Sequence, residues 1–537
     1  VSAADESRPA LLAGLDPLVD AEAMRAIDRW AIEDVGIAGP ALMEAAGAGL
    51  ADAVTSVAPG GPVAVVCGGG NNGGDGYVAA RLLRAAGRPV RLLSVVPDHR
   101  LHGDAAAARD AVGPAEPWAP AGLVGAAVVV DCVLGTGATD APRGVAADAI
   151  EAIVAAAEGD VARGVAPVPV VACDVPSGVD ASTGETPGVA VPATVTVTFH
   201  AAPPGLWIAP GKTRAGRVAV ADIGIPRRAV EAEAIPGPWA GLLTSHVVAG
   251  LPTRGASGTK FRSGHVVVVG GAPGMSGAPC LAAHGAMRAG AGYVTVAAPA
   301  SIEGAILARA PTEALGVLLA AGADGGVTAD AADAVVDALG SHGGTLVIGP
   351  GLGRGVSRGA LVRTLVDRLD GPALFDADAL AAVAGEPEAL AGAGGRGLHT
   401  VLTPHAGELA RLLDVETQAV AARRLWHARE AARRADAVVV LKGDDTLVVA
   451  PDGRVAISPG GVPGLATAGT GDVLAGTIGA LLARGTDAFQ AAAAGVWLHL
   501  RAGALATAEH GADGVIARDV AERLGHARRS AAVTPDG

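Results

Sequence analysis

Asp472 stands in the setting that most invites chemistry. Residues 463–472 read PGLATAGTGD, with Gly464, Gly469 and Gly471 among small neighbours, and the apolar run 473–482 that follows has the composition of a helix. A glycine turn opening a helix leaves backbone N–H groups unpaired at the positive end of the helix dipole, a geometry that suits phosphate. A carboxylate repels phosphate, so Asp472 is expected to accept a proton, orient a hydroxyl or hold a metal. The plainer reading is that it only charges the first helical turn. Residues 442–446, KGDDT, follow the strand-like run 435–441, ADAVVVL. A lysine just past a buried strand, then a glycine, is a second phosphate-approach pattern, weak by itself.

The first half carries candidates of another kind. The run 68–76, GGGNNGGDG, lies between the apolar run 62–67, PVAVVC, and a stretch of helical composition. It is expected to be a glycine-rich turn between strand and helix, Rossmann-like in arrangement although not G-x-G-x-x-G. Asn71, Asn72 and Asp75 then put amide oxygens and a carboxylate in that turn, where they could ligate a hard cation or orient a ligand, or serve only as turn residues. Asp131 interrupts the apolar strand 126–133. An uncompensated buried carboxylate is costly, so it needs a cation or N–H partners. Asp174 falls at the C-terminal end of the strand 169–173, where open α/β sheets place their sites, and Ser177 follows in a tight Pro-Ser-Gly turn. Turn capping is the plainer reading of both.

These residues need a scaffold, and the chain supplies an α/β one. Strand-like and helix-like runs alternate through both halves: strands at 62–67, 90–96, 126–133 and 169–173, then at 264–271, 293–298, 345–348, 373–375, 401–403 and 435–441. At 537 residues the chain is expected to form two domains. The turn-prone linker 226–251 puts their boundary near residue 235, giving domains 1–235 and 236–537. Aromatics are 2% and Gly number 79, so packing must rest on aliphatic side chains and close backbone approach. The net charge of −14 argues against broad nucleic-acid binding. Cys67, Cys132, Cys173 and Cys280 form no C-x-x-C and read as buried thiols of a reducing compartment. The N-terminus VSAADESRPALL has acids where a signal peptide wants bases. The longest uncharged run, 186–211, holds five prolines and alternates as VTVTF, so it reads as strand and loop rather than a membrane span. A cytoplasmic homo-oligomer with no membrane or nucleic-acid partner is expected.

KGDDT and GTGD, together with GGAPGMSGAPCLAAHGAMRAGAGYVTVAAP (270–299), GPGLG (349–353), DADAL (376–380) and TPHAGE (403–408), resemble the ribokinase-like dehydratase that repairs hydrated NADH and NADPH. NNGGDG, DCVLGTG and DVPSGVDASTG, in that order, resemble the Rossmann-like epimerase of the same hydrates, which bacteria often fuse ahead of the dehydratase. The resemblance implies that Asn71, Asn72, Gly73, Gly74 and Asp75, with the loop Gly135, Thr136, Gly137, Ala138, Thr139, Asp140 and Ala141, contact the epimerase substrate. It implies that Asp174 does acid/base work at C6 of the nicotinamide ring. Asn72, Asp131 and Ser177 would surround a potassium ion. In the dehydratase, Ala278, Gly351, Gly353 and His405 would contact the hydrate, and Asp472 would act on its hydroxyl. Lys442, Gly443, Asp444, Asp445, Thr446 and Gly471 would hold ADP, with magnesium. Pro203 stands where the epimerase family often has Lys. Ala381 and Val462 stand where the dehydratase family often has Asn.

Two other readings share these features. A ribokinase-like kinase of a vitamin precursor or sugar, with a non-catalytic N-terminal binding domain, fits GTGD and the strand-end lysine equally. TPHAGE and NNGGDG disfavour it. The epimerase-like fold also occurs in an mRNA-decapping scaffold that does no such chemistry. The retained Asp131 and Asp174, and the acidic chain, disfavour that.

Overall fold

The computed structural model describes residues 13–160, 162, 164–226, 229, 235–237, 239–256, 258–340, 344–392 and 399–531. The acidic first dozen residues and most of the linker stretch 227–234 lie outside the described residues. The chain divides into two compact units, residues 1–10 with 17–240, and residues 11–16 with 241–537.

The first unit is built on a seven-stranded parallel sheet. Its strands run, edge to edge, Glu116–Pro117, Val90–Ser94, Val63–Cys67, Val128–Cys132, Val170–Cys173, Val195–Phe199 and Arg217–Ala221. Val63–Cys67 and Val128–Cys132 are buried along their whole length, because helices cover both faces. That is why these runs read as continuously apolar. Alternate residues serve opposite layers: Val63, Val65 and Cys67 pack with Ile27, Leu50 and Tyr77, while Ala64 and Val66 pack with Ile150 and Ile153. Chain order reverses between Val63–Cys67 and Val128–Cys132, which opens a crevice at their carboxyl ends. The four cysteines are buried free thiols.

The second unit has seven parallel strands in the order Leu315–Leu319, Tyr293–Pro299, His265–Val269, Thr345–Ile348, Ala373–Phe375, Thr400–Leu402 and Val438–Leu441. Antiparallel Leu447–Val449 and Val455–Ile457 follow, and Ala240–Leu243 and Leu15–Leu18 complete the sheet. Order reverses between His265–Val269 and Thr345–Ile348. Helix Thr470–Ala483 lies against helix Gly277–Ala289 at backbone distance: a Cβ on Gly285 would strike the Val473 backbone, and one on Gly476 the Ala282 backbone. The glycines in these helices are therefore packing residues, which offsets their poor helix propensity. Among the described residues no helix is long and apolar enough to cross a membrane.

Candidate active sites

In the first unit a cavity of about 570 Å³ opens at the order reversal. Gly70, Asn71, Asn72 and Asp75 line it from one side, Gly135, Thr136, Gly137 and Ala138 from another, and Asp28 and Asp174 complete it. Asp174 follows the strand Val170–Cys173 with φ 66°, a left-handed conformation that Asp tolerates better than most residues. Its N–H donates to Val197 O (2.7 Å), and the Thr198 hydroxyl donates to Oδ1 (3.2 Å). Burial raises its pKa, against hydrogen bonds from Thr198 and Thr136. Asp75 is pushed well above the carboxylate range by burial and by the negative charge of its neighbours, Asp174 and Asp28 among them. Burial, then the charge of Asp174, pushes Asp28 up to about 6. Three carboxyl groups with raised pKa values around one cavity are the material of acid/base exchange.

Beneath the cavity Asp131 is fully buried. The Ser177 hydroxyl donates to its Oδ1 (2.6 Å), and Ser177 N–H donates to Oδ2 (2.8 Å). Asn72 Nδ2 donates to Leu134 O (2.9 Å), while Asn72 Oδ1 is buried with no hydrogen-bond partner. A carboxylate, a hydroxyl and an orphaned amide oxygen are hard oxygen donors of the kind that could hold a cation.

In the second unit four strand and helix ends converge. Asp376 follows Ala373–Phe375, Thr403 and His405 follow Thr400–Leu402, Lys442 follows Val438–Leu441, and Asp472 lies in the first turn of Thr470–Ala483. Lys442 Nζ donates to Asp376 Oδ1 (3.1 Å) and lies 3.6 Å from Glu408 Oε2. The Thr403 hydroxyl donates to the same Asp376 oxygen (2.7 Å). His405 caps helix Ala406–Leu413 through Nδ1, within a reciprocal capping box with Glu408. Burial, then the charge of Asp376, pushes the Asp472 carboxyl up to about 7, against the pull of Lys442. A cavity of about 460 Å³ beside it is lined by Lys442, Gly443, Asp444, Thr446, Gly471 and His499. His499 is held down at about 4 by burial, and its neutral ring bonds Thr470 O (2.9 Å), anchoring the helix start. The arrangement pairs a near-neutral base with a cation and a helix N-terminus, as transfer of a phosphoryl group to a hydroxyl requires.

Curated relatives match the chain over almost their whole length. A bifunctional NAD(P)H-hydrate repair enzyme Nnr from Moorella thermoacetica is 38% identical over 529 residues, 96% of this chain and 97% of that one. Its counterpart from Salinibacter ruber is also 38% identical, over 96% of this chain and 98% of that one. The chain belongs to the bifunctional NAD(P)H-hydrate repair enzyme family. Within it, residues 39–205 match the family model described as YjeF-related protein N-terminus, and residues 266–525 the one described as NAD(P)H-hydrate dehydratase. A solved ADP/ATP-dependent NAD(P)H-hydrate dehydratase from Bacillus subtilis, co-crystallized with ATP/Mg2+, is 30% identical over 54% of this chain and 97% of its own, with a TM-score of 0.46. The two family models fall one in each α/β unit.

Not every expected site residue reaches a cavity. The helix Asn71–Ala85 starts at Asn71, so NNGGDG forms its first two turns and is not the connecting turn the sequence suggested. Gly73 and Gly74 are spacers there: a Cβ on Gly73 would strike the Gly68 carbonyl, and one on Gly74 the Met43 side chain. Thr139, Asp140 and Ala141 lie outside the lining of the first cavity. Ala278 sits against Gly351, whose Cβ would lie 3.2 Å from its own, and Gly353 N–H donates to Asp378 Oδ2 (2.9 Å). Asp445 is buried and bonded by Arg424 Nε (2.8 Å), away from the cavity that Asp444 and Thr446 line. Asp28 was missed as a site residue. Its only signal was an acidic residue at helical spacing with Met24, Ile27 and Ala31.

Proposed function

We propose that the chain repairs hydrated NADH and NADPH, the first domain interconverting the R and S epimers and the second dehydrating the S epimer at the expense of ADP. The observation that carries this is the Asp472 carboxyl, poised near neutrality beside Lys442 and a helix N-terminus. Hydroxide is a poor leaving group. Asp472 takes the proton of the C6 hydroxyl as its oxygen attacks the terminal phosphoryl group of ADP, releasing AMP. The C6–O bond then breaks with departure of phosphate, the C5 proton is lost, and the 5,6 double bond returns. Lys442, Thr446, the loop at Gly443 and the N–H of Gly471 hold the nucleotide phosphates, and His405, Ala278, Gly351 and Gly353 border the hydrated dinucleotide. Magnesium would arrive on the nucleotide, supplying charge neutralisation, with Asp444 in the cavity lining and Asp376 and Glu408 beside Lys442 as the carboxylates at hand; among the described residues no ready-made metal cluster exists. In the epimerase, Asp174 and Asp75 would exchange the proton at the hydrate, and potassium on Asn72, Asp131 and Ser177 would brace the Gly135 loop from below.

Incubating hydrated NADH with ADP and magnesium and following the dihydronicotinamide absorbance tests the reading. Recovery is expected with the wild type. Asp472→Asn is expected to slow it by about 10²–10⁴-fold, the usual worth of a general base, with the fold intact by circular dichroism. Unchanged recovery in that variant removes the assignment. A phosphorylated heterocycle that accumulates would favour a kinase instead.

A further inference from the structure

A third cavity, about 450 Å³, shares Gly353 with the reaction just described, which leaves its other lining residues unused. Gly353 and Asp378 form its inner wall, and Arg354, Arg358 and Arg363 line the remainder. Among its lining side chains three guanidinium groups face one carboxylate, in a chain whose net charge is −14. Two of the arginines pair with carboxylates outside the lining, Arg358 with Asp324 (2.6 Å) and Arg363 with Glu386 (2.8 Å). Arg354 Nε is 3.6 Å from Asp378 Oδ1. Arg358 is 7% exposed, and its Nε has no hydrogen-bond partner. Gly355 and Val356, at the start of the helix Val356–Arg368, also line the cavity, and no side chain caps that helix. Guanidinium forks and free N–H groups at a helix start together describe a phosphate site.

The nucleotide cavity has its own lining at Lys442 and Gly471, so this one belongs to the other substrate. Its link to the chemistry is Asp378, which binds Gly353 N–H and whose charge acts on Asp472. A pyrophosphate is common to both hydrated dinucleotides, whereas a phosphomonoester dianion is present only in hydrated NADPH and gains most from several guanidinium groups at one point. We propose that the Arg354–Arg358–Arg363 cavity seats the adenosine 2′-phosphate of hydrated NADPH and makes the dehydratase prefer it to hydrated NADH. This rests on the dehydratase reading above.

The test uses the full chain with Arg354→Ala and Arg363→Ala, singly and together, since neither side chain is buried and their loss spares the core. The double variant is expected to raise KM for hydrated NADPH by about 10-fold or more, the equivalent of one charge-assisted bond. KM for hydrated NADH should move by less than ~2-fold, and Arg363→Lys should recover part of the loss. Equal shifts for the two hydrates would point to the pyrophosphate and overturn the proposal, as would no shift for either. Adenosine 2′,5′-bisphosphate supplies a readout without turnover. With the nucleotide site saturated by ADP, it should bind the wild type more tightly than 5′-AMP and lose that margin in the double variant. Equal binding of the two overturns the proposal even if the hydrates are repaired. Tighter binding of the bisphosphate with no repair would sustain the site while removing the dehydratase reading.

Discussion

Asp472 titrates where a base at neutral pH must. Its carboxyl is raised to about 7 by burial and by Asp376, while Lys442 opposes the rise. A base works in its ionised form, so dehydratase kcat/KM is expected to climb with pH through about 7 and level off above it. The neighbours give the sign of two shifts. Asp376→Asn removes a negative charge that discourages ionisation, so the limb moves to lower pH. Lys442→Met removes a positive charge that favours ionisation, so the limb moves up. Both variants also slow turnover, but the position of the limb is the readout, and a limb at the ordinary carboxylate pH in all three proteins would end the base assignment. Residue type and spacing made Asp472, Asp174 and Lys442 legible, because Asp174 and Lys442 follow directly on apolar runs and Asp472 stands between a glycine turn and one. Asp75 and Asp28 were harder to weigh, since the environment that raises their pKa is assembled from other elements, among them the helix that carries the first, the helix that carries the second, and the strand end at Asp174.

At the scale of elements, the loop after Val438–Leu441 shows how a buried ion pair shapes a site. Arg424, on the helix Arg424–Ala435, bonds Asp445, and both side chains are almost completely buried. A Cβ on Gly443 would lie 2.6 Å from Arg424 Nη2, so the guanidinium is packed directly against the loop that follows Leu441. Arg424→Ala takes the guanidinium from a buried carboxylate, and urea denaturation is expected to report a loss of up to about 3–5 kcal/mol for the second domain, with a raised KM for ADP from the slackened loop. A variant that loses neither would show that Asp445 finds another partner. KGDDT reads as one phosphate-binding string, yet its two aspartates face opposite ways, Asp444 toward the cavity and Asp445 into the core. Adjacent identical letters carry no information about that. It depends on which one meets Arg424, 21 residues away. The strand ends were readable to within a residue or two, as at Thr345–Ile348 and Ala373–Phe375. The start of helix Asn71–Ala85 was not, because Asn and Gly propensities favour a turn and tertiary packing of Gly73, Gly74 and Gly76 overrides them.

For the whole molecule, two activities on one chain predict separable defects. Supplied with both epimers of hydrated NADH, Asp174→Asn should restore the S fraction at the normal rate and leave the R fraction to slow spontaneous epimerisation, whereas Asp472→Asn restores neither. Biphasic absorbance recovery in the first variant and none in the second is the expected outcome. Complete single-phase recovery by Asp174→Asn would remove that residue from the epimerase. Local pattern sufficed for the two α/β domains and for the strand ends that bear chemistry, since apolar runs and glycine turns are short-range signals that neighbouring residues impose on one another. Tertiary structure alone decided which of those residues share a cavity, which carboxyls have their pKa raised, and where three arginines gather. Desolvation and charge coupling act between groups that are close in space while remote in the chain, and one-dimensional order contains neither quantity.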